Sequence, residues 1–595
     1  MKYSEELLDF LKEEKGYTHC FFVAGGNIMH LLDAARTRFE CIPVVHEVAA
    51  GIAVEYFNET NLEHKKAFAL VTAGPGLTNI VTAIAGAYLE SRELLVIGGQ
   101  VKTSDLKSAS MRQRGIQEID GRAIVEPITN HSVLLKNPVN MSEIGKLLSG
   151  EGRPGPIFIE IPLDVQAALV DHKVYETKTE SVLRDNAIEQ QFITEIKTFL
   201  ENSERPIILI GGGLSRDTAW RYSRQISELG IPVMTTWNGS DRYGSDLPNY
   251  WGRPNTWGQR SANILLQQSD LVIAVGTRLG IQQTGFAWDE FCPLAKIFQI
   301  DIDQNELDKG HPKIFRGLCS DASEFLVNFI GSVFVASNKF GHWLEFGTKV
   351  IEAFPLNDLA NTNSSEYVDP FKLIIELGSM LTQDDAIVPC SSGGAFTVTL
   401  QALSVKHGQT VTSDKGLASM GYGLSGAIGT ALSTQRRTIL IEGDGGFSQN
   451  LQELGTVAQQ NLKLKIFIFS NSGYASIRMT QRNYFDGAYL GCDTDTGLGM
   501  PNWQFIAQAY GIRFSVLKGT DNLDQNLTSI LNRTGPELIE VLIDPEQTYF
   551  PKITSRILPD GKMVSNPLHQ MTPDLSPDQI AEYLPYLASR LNKQL

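Results

Sequence analysis

TILIEGDGGFSQNLQELGTVAQQNLKLKIFIFSNSG, residues 438–473, decides how the chain is read. An apolar run, TILIE, ends at Gly443-Asp444-Gly445-Gly446. An amphipathic stretch, LQELGTVAQQ, follows, and a second apolar run, KIFIFS, ends at Asn471-Ser472-Gly473. Strand, helix and strand in that order form a parallel unit. Both turns then lie at the carboxyl edge of the sheet, where open α/β sheets bind ligands. Asp444 and Asn471 stand 27 residues apart. Their oxygens, with a backbone carbonyl, suit a hard cation such as Mg²⁺, which keeps water and bridges phosphate oxygens. The glycines let the backbone approach a diphosphate and leave amides free to donate to it. A bare GDG is a common turn; the Asn that ends the next strand makes the pattern specific.

The same texture extends along the chain. Apolar runs CIPVVHE (41–47), AFALVT (67–72), LLVIGG (94–99), PIFIEIP (156–162), PIILIGGG (206–213), LVIAVG (271–276) and IFQIDID (297–303) alternate with helical patterns. Continuous apolar strands bounded by glycine and followed by helices predict parallel sheets covered on both faces. Two polar stretches, one from Asp171 to Asn186 and one at NDLANTNSSEYVDP (357–370), interrupt them. Boundaries there divide the chain into three doubly wound α/β domains, 1–175, 187–345 and 365–550, with a tail at 551–595. Within the tail, SRILPDGKMVSNPLHQMTPDLSPDQ (555–579) reads as an ordered loop or a lid. A length of 595 residues agrees, since domains average roughly 150 residues.

Composition excludes several classes of function. Lys plus Arg number 51 against 67 Asp plus Glu, a net charge of −16. Such a surface works against non-specific binding of nucleic acid or anionic lipid, yet permits a local basic pocket for an anionic cofactor. The six cysteines include no CxxC pair, so neither a zinc knuckle nor a disulfide framework is expected. MKYSEELLDFLKEEKGY (1–17) reads as a charged amphipathic helix rather than a signal peptide, and no apolar run is long enough to span a membrane. A cytoplasmic enzyme is expected.

The GDG-x₂₅-NS pattern resembles the cofactor motif of thiamine-diphosphate-dependent enzymes. The resemblance implies that Asp444 and Asn471 ligate Mg²⁺ and that Gly473 adds a backbone carbonyl. The usual Asn-Asn pair is Ser470-Asn471 here. His46-Glu47 reads as the end of a strand leading into a small-residue helix, VAAGIAVEYF. A carboxylate entering an apolar helix start is costly to bury without a partner. Glu47 matches the family's cofactor-activating glutamate, which bonds the aminopyrimidine ring so that its imino tautomer can deprotonate the thiazolium carbon. Thr72-Ala73-Gly74-Pro75-Gly76-Leu77-Thr78-Asn79 resembles the family's T-S-G-P-G-x-x-N turn, which carries Thr72, Pro75, Gly76 and Asn79 to the cofactor.

The likeness narrows to the acetolactate-synthase-like branch through GRPGPIFIEIPLDVQ (152–166), RQRGIQEID (112–120) and KGLASMGYGLSGAIG (415–429). It implies that Met420 holds the cofactor bent, as an apolar, adaptable wedge would, and that Gln117 is an active-site glutamine. It also implies a homodimer or homotetramer whose sites are shared between subunits. Gly211, Gly212, Gly213, Arg278 and Asp301 match positions that contact a structural FAD in acetolactate synthases; GRPNTWGQ (252–259) departs from the G-M-H-G expected nearby.

The acceptor half departs from that branch. Acetolactate synthases carry an Asp-Arg pair whose Arg grips the carboxylate of the second keto acid; GTRLGIQQTG (276–285) puts Ile281 and Gln282 there. Thr480 replaces the family's tryptophan and Ile116 a phenylalanine. These residues, with Ile477, are the expected acceptor pocket. The reading is a carboligase that decarboxylates a 2-keto acid, with pyruvate foremost, and passes the hydroxyalkyl unit to a carbonyl acceptor such as a keto-sugar. Two alternatives stay open. One is an acetolactate synthase with its carboxylate grip supplied by Arg112, Arg114 or Arg478; the other is an FAD-dependent 2-keto acid oxidase. The retained Glu47, Asp444 and Asn471 argue against a non-catalytic protein. A nicotinamide dehydrogenase lacks its GxGxxG.

Overall fold

Apolar runs such as 94–99, 156–162, 206–210 and 271–275 form strands buried on both faces, whereas the run 41–47 gives only a short edge strand, Glu40–Pro43, that is largely exposed. The computed structural model describes residues 1–588 apart from 109, 150–151, 172–174, 176–185, 337, 363, 520 and 559. Most of the polar stretch 171–186, expected to separate two domains, therefore lies outside the described residues, as does the tail beyond 588.

The first sheet is built from β1 (Tyr17–Phe22), β2 (Glu40–Pro43), β3 (Lys66–Val71), β4 (Leu94–Gln100), β5 (His131–Leu134) and β6 (Pro156–Pro162), in the order β2-β1-β3-β4-β6-β5. The second holds β7 (Pro206–Ile210), β8 (Val233–Thr235), β9 (Leu271–Val275), β10 (Lys296–Asp301) and β11 (Arg316–Cys319), ordered β11-β10-β9-β7-β8. The third contains β12 (Asp385–Pro389), β13 (Thr410–Val411), β14 (Arg437–Gly443), β15 (Leu464–Ser470), β16 (Arg513–Leu517) and β17 (Glu537–Leu542), ordered β13-β12-β14-β15-β17-β16. Its order repeats that of the first sheet strand for strand. Every pairing in the three sheets is parallel, so the predicted three-domain α/β class is the observed one.

The first and third sheets share a core. Helix Glu47–Thr60 packs along helix Tyr422–Thr434, and side chains of both units form one apolar cluster. The crossing is close because glycine is there. A Cβ on Gly429 would sit 2.1 Å from the Ala53 carbonyl oxygen, and one on Gly426 would sit 2.6 Å from the Tyr56 ring. Larger residues would force the helices apart and open the shared core.

The tail forms a hairpin, β18 (Ser555–Ile557) with β19 (Met563–Ser565), then a helix, Pro577–Tyr583. Leu568, Leu584 and Leu587 join the apolar core of the second unit. The burial of these leucines holds the described part of the tail against the second unit.

One buried carboxyl gives the fold a pH signature. Glu160 on β6 is buried, and its Oε1 accepts from Gln100 Nε2 at 3.0 Å. Burial, helped by the charge of Asp120, pushes its pKa up to about 8. An unfolded Glu titrates near 4.3. The folded carboxyl holds its proton more tightly, so its contribution to stability is full below about pH 4.3 and is lost as pH rises towards 8. Glu160→Gln, which keeps an amide oxygen for Gln100, should flatten the decline in stability across that window. Urea melts at a series of pH values would show it; identical slopes for variant and parent would mean that Glu160 does not hold its proton in the fold.

Candidate functional site

Strand β14 delivers Asp444 to the carboxyl edge of the third sheet as the first residue of a short helix, Asp444–Phe447. The side chain is buried at 1% exposure. Its Oδ1 accepts from the Gly445 amide at 2.7 Å, and its Oδ2 accepts from the amides of Asn471 (3.0 Å) and Gly473 (3.1 Å). Asp444 therefore ties the ends of β14 and β15 together. Burial outweighs these donors and raises its pKa to about 6. Asn471 is buried beside it, and its Oδ1 has no hydrogen-bond partner. A buried amide oxygen without a donor is costly, and one next to a desolvated carboxylate is the donor set of a hard cation. The residues present fit Mg²⁺.

The glycines around them have separate reasons. Gly473 has φ 138°, and a Cβ there would lie 2.4 Å from the Cys492 carbonyl oxygen. Its own carbonyl accepts from Ala475 N at 3.1 Å and keeps a second lone pair. A Cβ on Gly445 would meet the Tyr474 ring at 2.4 Å and one on Gly446 would meet Glu442 at 3.0 Å, whereas Gly443 faces open space.

The other half lies on the first sheet. Glu47 is not the end of a strand, as the sequence suggested. Strand β2 stops at Pro43, and Glu47 is the first residue of its helix, with His46 as the cap. His46 Nδ1 accepts from Val48 N at 3.3 Å, and a helix start suits a carboxylate. Glu47 is buried, and its Oε2 accepts from Asn79 Nδ2 at 2.9 Å. Asn79 comes from the helix that opens at Pro75, after Gly74 with φ 66°. The glycine-proline turn thus carries the partner of Glu47. A Cβ on Gly74 would sit 2.4 Å from the Gln117 carbonyl oxygen, so the 112–120 loop lies directly on this turn. Gln117 itself has φ 64° and is exposed. Thr72 is buried and its hydroxyl accepts from Asn27 N at 3.4 Å.

Glu453 escaped the sequence reading. Its Oε1 accepts from the amides of Val45 (3.1 Å) and His46 (3.0 Å), so the third unit grips the loop leading into Glu47. Among the described residues no hydrogen bond or ion pair joins Glu47 or Asn79 to Asp444 or Asn471. Several apolar residues on this side are open: Ile116 is 84% exposed, Ile477 47% and Met420 38%. Met420 Sδ accepts a weak bond from Gln449 Nε2 at 3.8 Å.

A cleft of about 810 Å³ lies where the three units meet. Gly212, Gly213, Arg278 and Asp301 line it; Gly211 does not. A Cβ on Gly211 would lie 2.2 Å from the Gly276 carbonyl oxygen, so that glycine serves loop packing. Asp301 is buried and paired with Arg153 at 2.9 Å. The Arg278 guanidinium has no polar partner among the described residues. Glu59 anchors the floor through Arg216 (3.0 Å) and Arg242 (3.1 Å). Burial works to raise its pKa, but Arg216, Arg92 and Arg242 win and hold it at about 2. Ile281 and Gln282 also line this cleft, whereas Ile477 and Thr480 sit on the separate helix Ala475–Tyr484. Of the three arginines weighed as a substitute grip, Arg478 is engaged: it donates to the carbonyls of Asn471 (3.2 Å) and Pro545 (2.8 Å). Arg112 and Arg114 are exposed.

Residues 1–124 match the N-terminal TPP binding domain of thiamine pyrophosphate enzymes, 193–329 their central domain and 392–541 their C-terminal TPP binding domain. The acetolactate synthase isozyme 1 large subunit of Escherichia coli (strain K12) is 30% identical over 562 residues, covering 92% of this chain and 95% of that protein. The acetolactate synthase large subunit of Cyanidium caldarium is 29% identical, covering 92% and 94%. A probable acetolactate synthase large subunit of Methanocaldococcus jannaschii is 28% identical, covering 92% and 93%. With a complete set of family domains and near full-length likeness, the chain belongs to the thiamine-diphosphate-dependent enzymes, in their acetolactate-synthase-like branch.

Proposed function

We propose that the protein is a Mg²⁺-dependent carboligase that decarboxylates a 2-keto acid, pyruvate foremost, and passes the resulting unit to a carbonyl acceptor other than a second keto acid, such as a keto-sugar. The observation that carries the catalytic half is the buried Asp444 carboxylate beside the unsatisfied Asn471 Oδ1. Asp444, Asn471 and the Gly473 carbonyl would hold the metal, and amides of the glycine turn would meet the diphosphate. Thiamine diphosphate supplies the electron sink for decarboxylation. Glu47, held by its helix start and Asn79, would be the proton partner of the cofactor ring. Gln117 and Met420 would border the bound cofactor. Thr72, Pro75 and Gly76 shape the turn that carries Asn79.

The open apolar rim at Ile116, Met420 and Ile477 supports a site completed by a second copy of the chain, in a homodimer or homotetramer. The 810 Å³ cleft, with the unpaired Arg278 and the Gly212-Gly213 backbone, fits an anionic dinucleotide, and FAD is the candidate. The cofactor would be structural here, since decarboxylation needs no oxidant.

The acceptor reading rests on Gln282. It lacks the fixed charge and planar fork of a carboxylate clamp, and it both donates and accepts hydrogen bonds as hydroxyl-bearing acceptors require. Incubation with thiamine diphosphate, Mg²⁺ and pyruvate should give decarboxylation with little acetolactate, and a ketose acceptor should raise carboligation. Gln282→Arg, alone or with Ile281→Asp, should shift products towards acetolactate by about tenfold. Efficient acetolactate formation by the unmodified enzyme, with no gain from any ketose, would return the protein to the plain synthases.

A further inference from the structure

Lys552 presents a cation with no carboxylate partner among the described residues. It is half-buried at the start of the tail. Its Nζ lies 5.2 Å from the centre of the Trp257 ring and 5.4 Å from that of Phe550, and it donates to Met479 Sδ at 3.3 Å. Among the described residues no carboxylate lies within ion-pair distance. Rings and a thioether are weak partners for an ammonium, and burial together with the nearby Arg482 pushes its pKa down. A desolvated cation left in this state is stabilised most by an oxyanion from outside the chain.

Its surroundings say which ligand would supply the oxyanion. Met479 lies on the helix that carries Ile477 and Thr480. The next tail residue, Ile553, donates its amide to the Thr256 carbonyl at 2.8 Å, and Thr256 N donates to the Gln282 carbonyl at 3.1 Å. Lys552 thus bridges the two elements that hold the expected acceptor residues. The segment is also tied to the metal-side loop, because Arg478 spans from the Asn471 carbonyl to Pro545.

We propose that Lys552 binds an oxyanion on the acceptor substrate and selects acceptors that carry one. The proposal rests on the carboligase reading and adds the acceptor's charge to it. Phosphate on a ketose and the carboxylate of a keto acid share this chemistry, and paired acceptors separate them. With pyruvate as donor, wild-type holoenzyme should prefer dihydroxyacetone phosphate to dihydroxyacetone. In Lys552→Met the ratio of kcat/KM for the two should fall about ten- to a hundredfold through KM, and Lys552→Arg should restore part of it. Damage to folding would lower both members of the pair and leave the ratio unchanged; that result overturns the proposal, as does a wild-type enzyme with no preference. A lysine-dependent preference for pyruvate alone would keep Lys552 as the grip and remove the keto-sugar. A second measurement needs no turnover. Acylation of Lys552 by a small N-hydroxysuccinimide ester, followed by peptide mass spectrometry of the holoenzyme, should slow with dihydroxyacetone phosphate or pyruvate and not with dihydroxyacetone. Equal rates under all conditions would refute an anion site at Lys552, even if carboligation itself fails.

Discussion

Glu47→Gln is expected to slow hydrogen–deuterium exchange at the thiazolium carbon by about 10²–10⁴-fold, the usual worth of a positioned acid–base group, while thiamine diphosphate still binds. An amide keeps the shape of the carboxylate but cannot share the proton that drives tautomerisation of the ring. The local structure should survive, because Glu47 Oε2 accepts from Asn79 and an amide oxygen can do the same. Loss of a favourable charge at the helix start costs about 0.3–1 kcal/mol, small beside the chemical effect. Acid-quench NMR of the bound cofactor measures the rate directly. Exchange as fast as in the parent would remove Glu47 from the mechanism.

Asp444→Ala should abolish Mg²⁺-dependent retention of thiamine diphosphate, a loss of at least about a hundredfold in affinity, since removing the charged ligand leaves the cation with neutral oxygens. The carboxylate does two jobs. It is the anionic member of the proposed metal set, and it accepts from the amides of Gly445, Asn471 and Gly473. Asp444→Asn separates them: it keeps an acceptor oxygen for the loop and loses the anion, so it should fold well and still bind cofactor poorly. Isothermal titration with and without Mg²⁺ tests both variants. Native affinity in either would mean that the ion is held elsewhere.

The site was legible in unequal parts. The proposed metal side reads from sequence because Asp444 and Asn471 directly follow the ends of consecutive strands of one parallel unit, so their spacing alone places them at one sheet edge. The cofactor-ring side reads less well. Glu47 stands out in the sequence as a carboxylate entering an apolar helix, but its place at the head of that helix, capped by His46, follows from β2 stopping at Pro43, four residues before Glu47. Proline at the end of a run that looks continuous is the signal that the strand stops there. Gln117 depends on a loop folding back onto Gly74, which no periodicity reveals.

The three parallel α/β units, and the position of Asp444 and Asn471 at strand ends of the third, are legible in the residue pattern alone. Strand runs, helix faces and turn residues are local patterns, and burial on both sheet faces leaves a continuous apolar signature. What those units do to one another emerges only in the folded chain. Glu453 reaches the Val45 amide across 408 residues. Gln282 lines the three-way cleft with the dinucleotide candidates, a cleft that Ile477 and Thr480 do not line. Lys552 reads as an ordinary tail lysine until Trp257, Phe550 and Met479 surround it. A side chain's partners, and above all the lack of one, depend on contacts between distant segments, which leave no mark in the residues on either side.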